Sequence, residues 1–317
     1  MFLLFQKRDF SALVSDTFTF LRLEGKNYFK HFLKLCGIPL FLVLIFVYLL
    51  ADIGISSAVT ASRASGFSDE DFFRTVFDNH LGVSILALIG VFVVALIMGI
   101  ICYTYPVFYM KNLGDATVTQ PADQNQIGKQ ITGKLGAIIV FFLGTTFIMM
   151  PLAIILFYIS VLLAFLLIGI PILILMIPTF YSVFTLALYE YLIKNTGFFT
   201  AYSNAFKYVR YNYWTIIGNT FVFYIITSLI TVIPSILIQV LALGGGAFFD
   251  TQNMEDQFFS SALTWGIVLL YFLYILLATL TQNIMFINQG IIYYSEREKE
   301  ENFFTKSKID SIGSNNE

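Results

Sequence analysis

The chain has 317 residues and a formal net charge of −2, and 58% of it is hydrophobic, 17% aromatic and only 12% charged, with a mean hydropathy of +0.80. Soluble domains carry about 25% charged residues. This balance therefore excludes a soluble enzyme or binding module and points to an integral membrane protein.

In chain order, "MFLLFQKRDF" meets a charged cluster after its first apolar residues. That is too soon for the apolar core of a signal peptide, and no small-residue cleavage site follows, so the N-terminus is expected to stay on the protein. Residues 1–31 are expected to form an N-terminal amphipathic helix. The first span is "FLKLCGIPLFLVLIFVYLL", Phe32 to Leu50, since about 20 apolar residues cross a hydrocarbon core as a helix. An acidic loop, 51–81, leads to a second span, Gly82 to Met110, long enough to tilt or to pass the interface. Together these make a first hairpin, 32–110.

A polar link, 111–135, follows, with room for one interfacial turn. From Gly136 to Ile193 the only charge is Glu190, a stretch too long for one crossing, so it reads as a central hairpin holding spans 3 and 4. Its turn is expected near Ser160, although Gly169 and the prolines at 151, 171 and 178 offer other breaks. A second amphipathic helix, 194–212, precedes span 5 (Tyr213 to Leu243), an outer loop (244–261) and span 6 (Ala262 to Ile292), a second hairpin over 213–292. The tail, 293–317, begins as a charged continuation of span 6, with Glu296 and Glu300 one turn apart, and ends Ser/Asn-rich, the composition of a disordered segment.

Six spans put both termini on one side. Sixteen of the 18 Lys and Arg residues flank that side, and only Arg63 and Arg74 flank the other. By the positive-inside rule both termini are cytoplasmic. The expected setting is a bacterial cytoplasmic (inner) membrane.

One phrase occurs twice. At a spacing of 188 residues, Phe10, Leu13, Val14, Phe18 and Leu21 fall on Phe198, Ala201, Tyr202, Phe206 and Val209, while Ser15, Asp16 and Arg22 fall on Ser203, Asn204 and Arg210. Steps of three and four put the apolar set on one helical stripe. After a three-residue insertion in the first copy, Asn27-Tyr28-Phe29 matches Asn212-Tyr213-Trp214. Each copy precedes a hairpin and enters from the same face, so the repeat is parallel, not inverted. The expected fold class is an all-α integral membrane protein: six transmembrane helices, two cytoplasmic-side amphipathic helices, and spans 1–2 and 5–6 repeated around the central hairpin. Two readings fit the amphipathic helices. They steer the chain into the bilayer and pack under the bundle, or they present Phe18, Arg22, Lys26, Lys30, Lys34, Phe206, Arg210 and Trp214 to anionic lipid or a partner. Each cation is then worth on the order of 1 kcal/mol near an anionic leaflet.

The segment "EYLIKNTGFFTAYSNAFKYVRYNYWTIIG", Glu190 to Gly218, resembles the signature of a bacterial multi-span group that includes the membrane domain of glycerophosphodiester phosphodiesterases and related uncharacterised membrane proteins. Glu190, Gly197, Ala201, Arg210, Asn212 and Trp214 fit its order. The likeness covers about thirty residues and is weaker in the first copy; no soluble stretch here has room for that family's catalytic domain. What it implies is a fold and a location, with no established activity.

The search for chemistry yields no catalytic set. His31 and His80 have no metal-ligand partner at a useful spacing, and "LGGGAFF" at 243–249 sits between spans, not between a strand and a helix, so it reads as a turn. Cys36 and Cys102 read as small buried hydrophobes, not a disulfide. No charge lies near the middle of a span, which argues against ion-coupled transport. The remaining polar path is span 6, where Gln282, Gln289 and Tyr293 share a face and Thr281 and Asn288 form a neighbouring stripe. Interhelical packing bonds and a ligand or headgroup site are both open readings of that face. The expectation is a non-enzymatic membrane scaffold or accessory subunit without cofactor, metal or nucleic acid, in contact with membrane lipids and a protein partner in an envelope-biogenesis or export assembly. The alternative is a carrier or flippase-like protein for a lipid or apolar solute.

Overall fold

The computed structural model describes residues 2–65, 69–115, 124–165, 167–248 and 257–302. They are helical almost throughout: α1 (Phe10–Ser65), α2 (Asp69–Gly114), α3 (Ile127–Gly133), α4 (Leu135–Gly144), α5 (Met150–Ala164), α6 (Gly169–Lys194), α7 (Phe198–Tyr211), α8 (Tyr213–Phe248) and α9 (Gln257–Glu301). Six helical segments are long and apolar enough to cross a membrane: Phe10–Ser57, Phe73–Gly114, Leu135–Ala164, Gly169–Lys194, Tyr213–Val240 and Val268–Glu301. The fold is that of a multi-span α-helical membrane protein. Of the loop expected at 51–81, the residues up to Ser65 continue α1 and those from Asp69 belong to α2; of the outer loop expected at 244–261, with its turn at 243–249, those up to Phe248 continue α8 and those from Gln257 begin α9; 66–68, 249–256 and the Ser/Asn-rich end of the tail lie outside the described residues.

The two copies of the repeated phrase begin alike and end differently. In the first, Asp9 caps α1, its Oδ1 accepting from the Ala12 N–H at 2.8 Å, the ordinary use of Asp at that position. The repeat-equivalent residue, Gly197, is the cap of α7. Leu13 and Ala201 are fully buried, as are Thr17 and Ala205, while Phe18 and Phe206 are 50% and 51% exposed. The buried stripe thus runs through positions 13, 17 and 20 and their equivalents, and leaves the two phenylalanines outside it. The second copy stops at Asn212. The first runs on without a break into the apolar part of α1.

The central hairpin turns between the end of α5 at Ala164 and the start of α6 at Gly169, and not near Ser160. Ser160 is buried inside α5, its hydroxyl donating to the Leu156 carbonyl at 2.8 Å, so it continues the helix. The break falls where Gly169 permits it. A Cβ there would stand 2.2 Å from the Ser160 carbonyl oxygen and from the Ala164 nitrogen, so only hydrogen fits. Pro151 instead follows a π-helical turn, Thr145–Met149, that joins α4 to α5; proline removes a backbone donor, and an offset turn of this kind accommodates the loss.

The chain divides into two compact units. One comprises Lys34–Ile100 and Ser228–Thr281, and its described joints are apolar. Gly90 lies so close under Phe46 that a Cβ would come within 2.2 Å of the ring, and Tyr48 stacks on Trp265 at 4.6 Å. The other comprises Met1–Leu33, Ile101–Thr227 and Gln282–Glu317. Its core is aromatic, with Tyr28, Tyr105, Tyr109, Tyr293, Phe20 and Phe108 all fully buried, and its helices are cross-linked by the polar contacts below.

Candidate functional site

The unit that holds both chain ends buries an unusual amount of polar chemistry. Most of it converges on α9, whose C-terminal half runs through the middle of the unit. Asn288 and Gln289, adjacent in sequence, diverge in partners. Gln289 Nε2 donates to Thr220 Oγ1 at 2.7 Å, and its Oε1 accepts from Thr185 Oγ1 at 3.0 Å. Thr220 meets Ser182 across 2.8 Å. One amide thereby joins α6, α8 and α9. Asn288 Nδ2 donates to Thr17 Oγ1 at 3.0 Å and to Asn219 Oδ1 at 2.5 Å, and Asn219 in turn reaches the Phe10 carbonyl at 3.3 Å, joining α1 and α8 to α9. A buried amide needs such partners, because desolvation without them is costly.

Gln289, Asn288 and Tyr293 are fully buried, whereas Gln282 is half-buried beside Tyr181. Thr281 bonds the Leu277 carbonyl of its own helix at 2.9 Å. Tyr293 stands with its ring 5.0 Å from that of Tyr189 and under the Arg297 guanidinium at 5.7 Å.

Sequence reasoning placed Glu190 at the end of a span and assigned it nothing there. The structure gives it no exposed surface. Its Oε1 accepts from the Tyr208 hydroxyl at 2.5 Å and pairs with Lys194 Nζ at 3.2 Å. Lys194 also reaches Glu301 at 2.7 Å, and Glu301 pairs with Arg297 at 2.8 Å. A charge network so runs from α6 to α9, with α7 attached through Tyr208 and through the Lys207–Glu300 pair. Among the described residues Glu190 Oε2 and the Tyr293 hydroxyl, both buried, have no hydrogen-bond partner. The available signal was Glu190's position as the only charge in the central hairpin.

Other joints were equally unforeseen. Asn283 Oδ1 accepts from the buried Tyr28 hydroxyl at 2.7 Å, and Tyr105 donates to the Tyr28 carbonyl at 2.7 Å. Asn212, at the break between α7 and α8, donates to Glu296 Oε2 at 2.6 Å. The N-terminal segment is tied in by Arg8, which contacts the Leu3, Leu4 and Gln6 carbonyls and pairs with Asp16 at 2.7 Å. Burial lowers the Arg8 pKa, with Asp16 opposing. Lys134 Nζ donates to the Leu192 carbonyl and to Asn195 Oδ1, both at 2.6 Å, closing the C-terminus of α6, where Asn195 takes the left-handed conformation that asparagine tolerates.

Burial, then the adjacent Glu190 carboxylate, holds the Tyr208 phenol well above its usual range. Burial pushes Tyr202 up to about 12, against the effect of its hydrogen bond with Thr145. The hydrogen bond to Glu300 holds Lys207 above the ordinary lysine value.

The interfacial candidates lie outside this network. Arg22, Lys26, Lys30, Lys34 and Arg210 are exposed, and Trp214 is 72% exposed. His31 and His80 are half-buried, neither Cys36 nor Cys102 is in a disulfide, and among the described residues no group of three or more His, Cys, Asp or Glu is arranged to hold a metal ion. No family model matches the chain, and neither a curated protein nor a solved structure matches it.

Proposed function

We propose that the chain is a non-enzymatic scaffold or accessory subunit of an assembly in the bacterial cytoplasmic membrane, serving envelope biogenesis or protein export, with both termini in the cytoplasm. One observation carries the reading. Gln289 and Asn288, the residues best suited to a polar path through span 6, direct their hydrogen bonds to α1, α6 and α8 of their own chain. Amide hydrogens taken up in this way make a joint between helices, and such bonds are worth about 0.6 to 2 kcal/mol each in membranes. The orientation rests on the distribution of Lys and Arg between the flanks. Kinship with the group that the Glu190–Gly218 segment resembles is part of the same proposal. It is supported by Glu190 and Asn212, two residues of that pattern, both bonding within the helical core.

The test is a mild-detergent pull-down of the chromosomally tagged protein with mass spectrometry of co-purifying proteins and lipids. A protein partner retained in fixed ratio through washing is the expected result. A homogeneous particle carrying one enriched lipid or solute would overturn it.

A carrier or flippase-like role is the second reading, favoured by Glu190 Oε2 and the Tyr293 hydroxyl, buried polar atoms without a partner among the described residues. Gln282→Leu with Gln289→Leu separates the two. Loss of a solute-dependent activity with the complex intact favours the carrier, and loss of assembly alone favours the scaffold.

A further inference from the structure

In the unit that holds both chain ends, Arg8, Lys194, Lys207, Arg297 and Lys299 each close an ion pair. Arg22, Lys26 and Lys30 are exposed and join none among the described residues. The acids nearest to them in sequence are turned elsewhere: Asp16 to Arg8, and Glu24 to within 3.5 Å of the Tyr109 hydroxyl. The three cations are four residues apart, which stacks them along one side of α1, and like charges at that spacing repel and weaken a helix. Topology signals require cations near a span but not this alignment.

The residue one step earlier is Phe18, exposed by half although it is a large aromatic. The duplicate carries the same pair at the same step: Phe206, also half exposed, and Arg210, exposed and joined to no carboxylate. The second pair continues to Trp214, 72% exposed. Two copies of one phrase thus each carry a half-exposed aromatic followed one turn later by an exposed guanidinium that joins no carboxylate among the described residues.

We propose that the Phe18–Arg22 and Phe206–Arg210 pairs are each a site for the headgroup of an anionic phospholipid, the first extended by Lys26 and Lys30. The guanidinium presents a planar set of donors matched to two phosphate oxygens. The aromatic, one turn before the guanidinium on the same side of its helix, supplies an apolar ring beside it for the carbons of the lipid. Zwitterionic phospholipid offers the same phosphate but cancels its charge, so the site selects for net anionic lipid. The proposal is independent of the scaffold reading.

Full-length protein, purified in detergent and stripped of lipid, is titrated with dioctanoyl phosphatidylglycerol or dioctanoyl phosphatidylcholine, and bound lipid is counted by native mass spectrometry. The expected result is preferential retention of phosphatidylglycerol. In the Arg22→Gln/Lys26→Gln/Lys30→Gln variant its affinity at the first site falls about 100-fold, at about fivefold per cation. Arg210→Gln lowers the affinity of the second site about fivefold and leaves the first unchanged. Equal retention of the two lipids by the wild type overturns the proposal. So does undiminished phosphatidylglycerol binding by the triple variant. Circular dichroism identifies a misfolded triple variant, and the single changes Arg22→Gln and Arg210→Gln, at exposed positions, then decide the matter alone.

Discussion

The Tyr208 hydroxyl donates to Glu190 Oε1 at 2.5 Å, and the carboxylate it meets has no exposed surface. Because Lys194 is the other partner of that oxygen, removing the phenol leaves a buried charge less well solvated. Tyr208→Phe is expected to cost about 1.5–3 kcal/mol, the range for hydrogen bonds to charged groups. Glu190→Leu removes the acceptor, leaving the phenol without its partner and Lys194 with Glu301 alone, at comparable cost. The double variant should lose less than the two singles combined, by about 0.5–3 kcal/mol. Thermal unfolding of the four proteins in one detergent measures this coupling, and strict additivity would show that the pair does not act as a unit.

Gly290 lies where α9 passes tightly against its neighbours. A Cβ there would stand 2.0 Å from Met110 Sδ and 2.4 Å from the Tyr189 hydroxyl oxygen. Gly290→Ala is expected to cost about 1–3 kcal/mol, the usual penalty of overpacking. Met110→Ala vacates the nearer contact but opens a cavity of its own, so the double variant should lose less than the two single changes combined. A Gly290→Ala protein with an unchanged melting midpoint would mean that the helices part without cost.

The two amide joints show where the sequence was legible and where it was not. That Asn288 and Gln289 bond to other helices follows from the expense of burying an amide in apolar surroundings; that one reaches α1 and α8 while the other reaches α6 and α8 depends on helix placement that no local pattern encodes. The six spans were legible because apolar length is a one-dimensional property. The burial of Glu190 was not, because its compensation comes from Tyr208, 18 residues further along. The hairpin turn was displaced for a similar reason. Ser160 and Gly169 are both local break signals, and only the backbone contact of Gly169 with Ser160 and Ala164 decides between them. The repeat predicted the buried positions at 13 and 201 but placed Phe18 and Phe206 on the same stripe, since spacing alone does not mark the edge of a buried face.

Leu167, in the turn of the central hairpin, has a φ of 62°, a region where a branched side chain is strained. It is 74% exposed, so its side chain offers little packing in return. Leu167→Gly is expected to raise the melting midpoint, by about 1 kcal/mol of relieved strain. Gly169→Ala, two residues on, should act in the opposite sense and more strongly, because its new methyl group meets backbone atoms that cannot rotate away. A midpoint lowered by the first change, or unmoved by the second, would contradict this account of the turn.

Alkaline pH should destabilise the protein through groups outside the membrane spans. An unfolded tyrosine loses its proton near pH 10, whereas Tyr202 holds its proton to about 12 and Tyr208 holds its own well above the usual range. Between the unfolded and folded values the native state binds more protons than the unfolded one, so the unfolding free energy falls as pH rises. Lys207 has the same sign. Its raised pKa makes the contribution of its pairing with Glu300 complete below the ordinary lysine value, 10.5, and lost as pH climbs through the folded one. Melting midpoints from about pH 8 to about pH 11 should therefore hold level and then decline, with tyrosinate absorbance lagging behind that of the unfolded chain. Tyr202→Phe lowers the midpoint at every pH, because it forfeits the hydrogen bond to Thr145. It also makes the alkaline decline shallower, because one titrating group is gone. The two effects are separable as an offset and a slope. A Tyr202→Phe curve parallel to the wild type throughout would show that this phenol does not contribute to the alkaline transition, and that Tyr208 and Lys207 carry it.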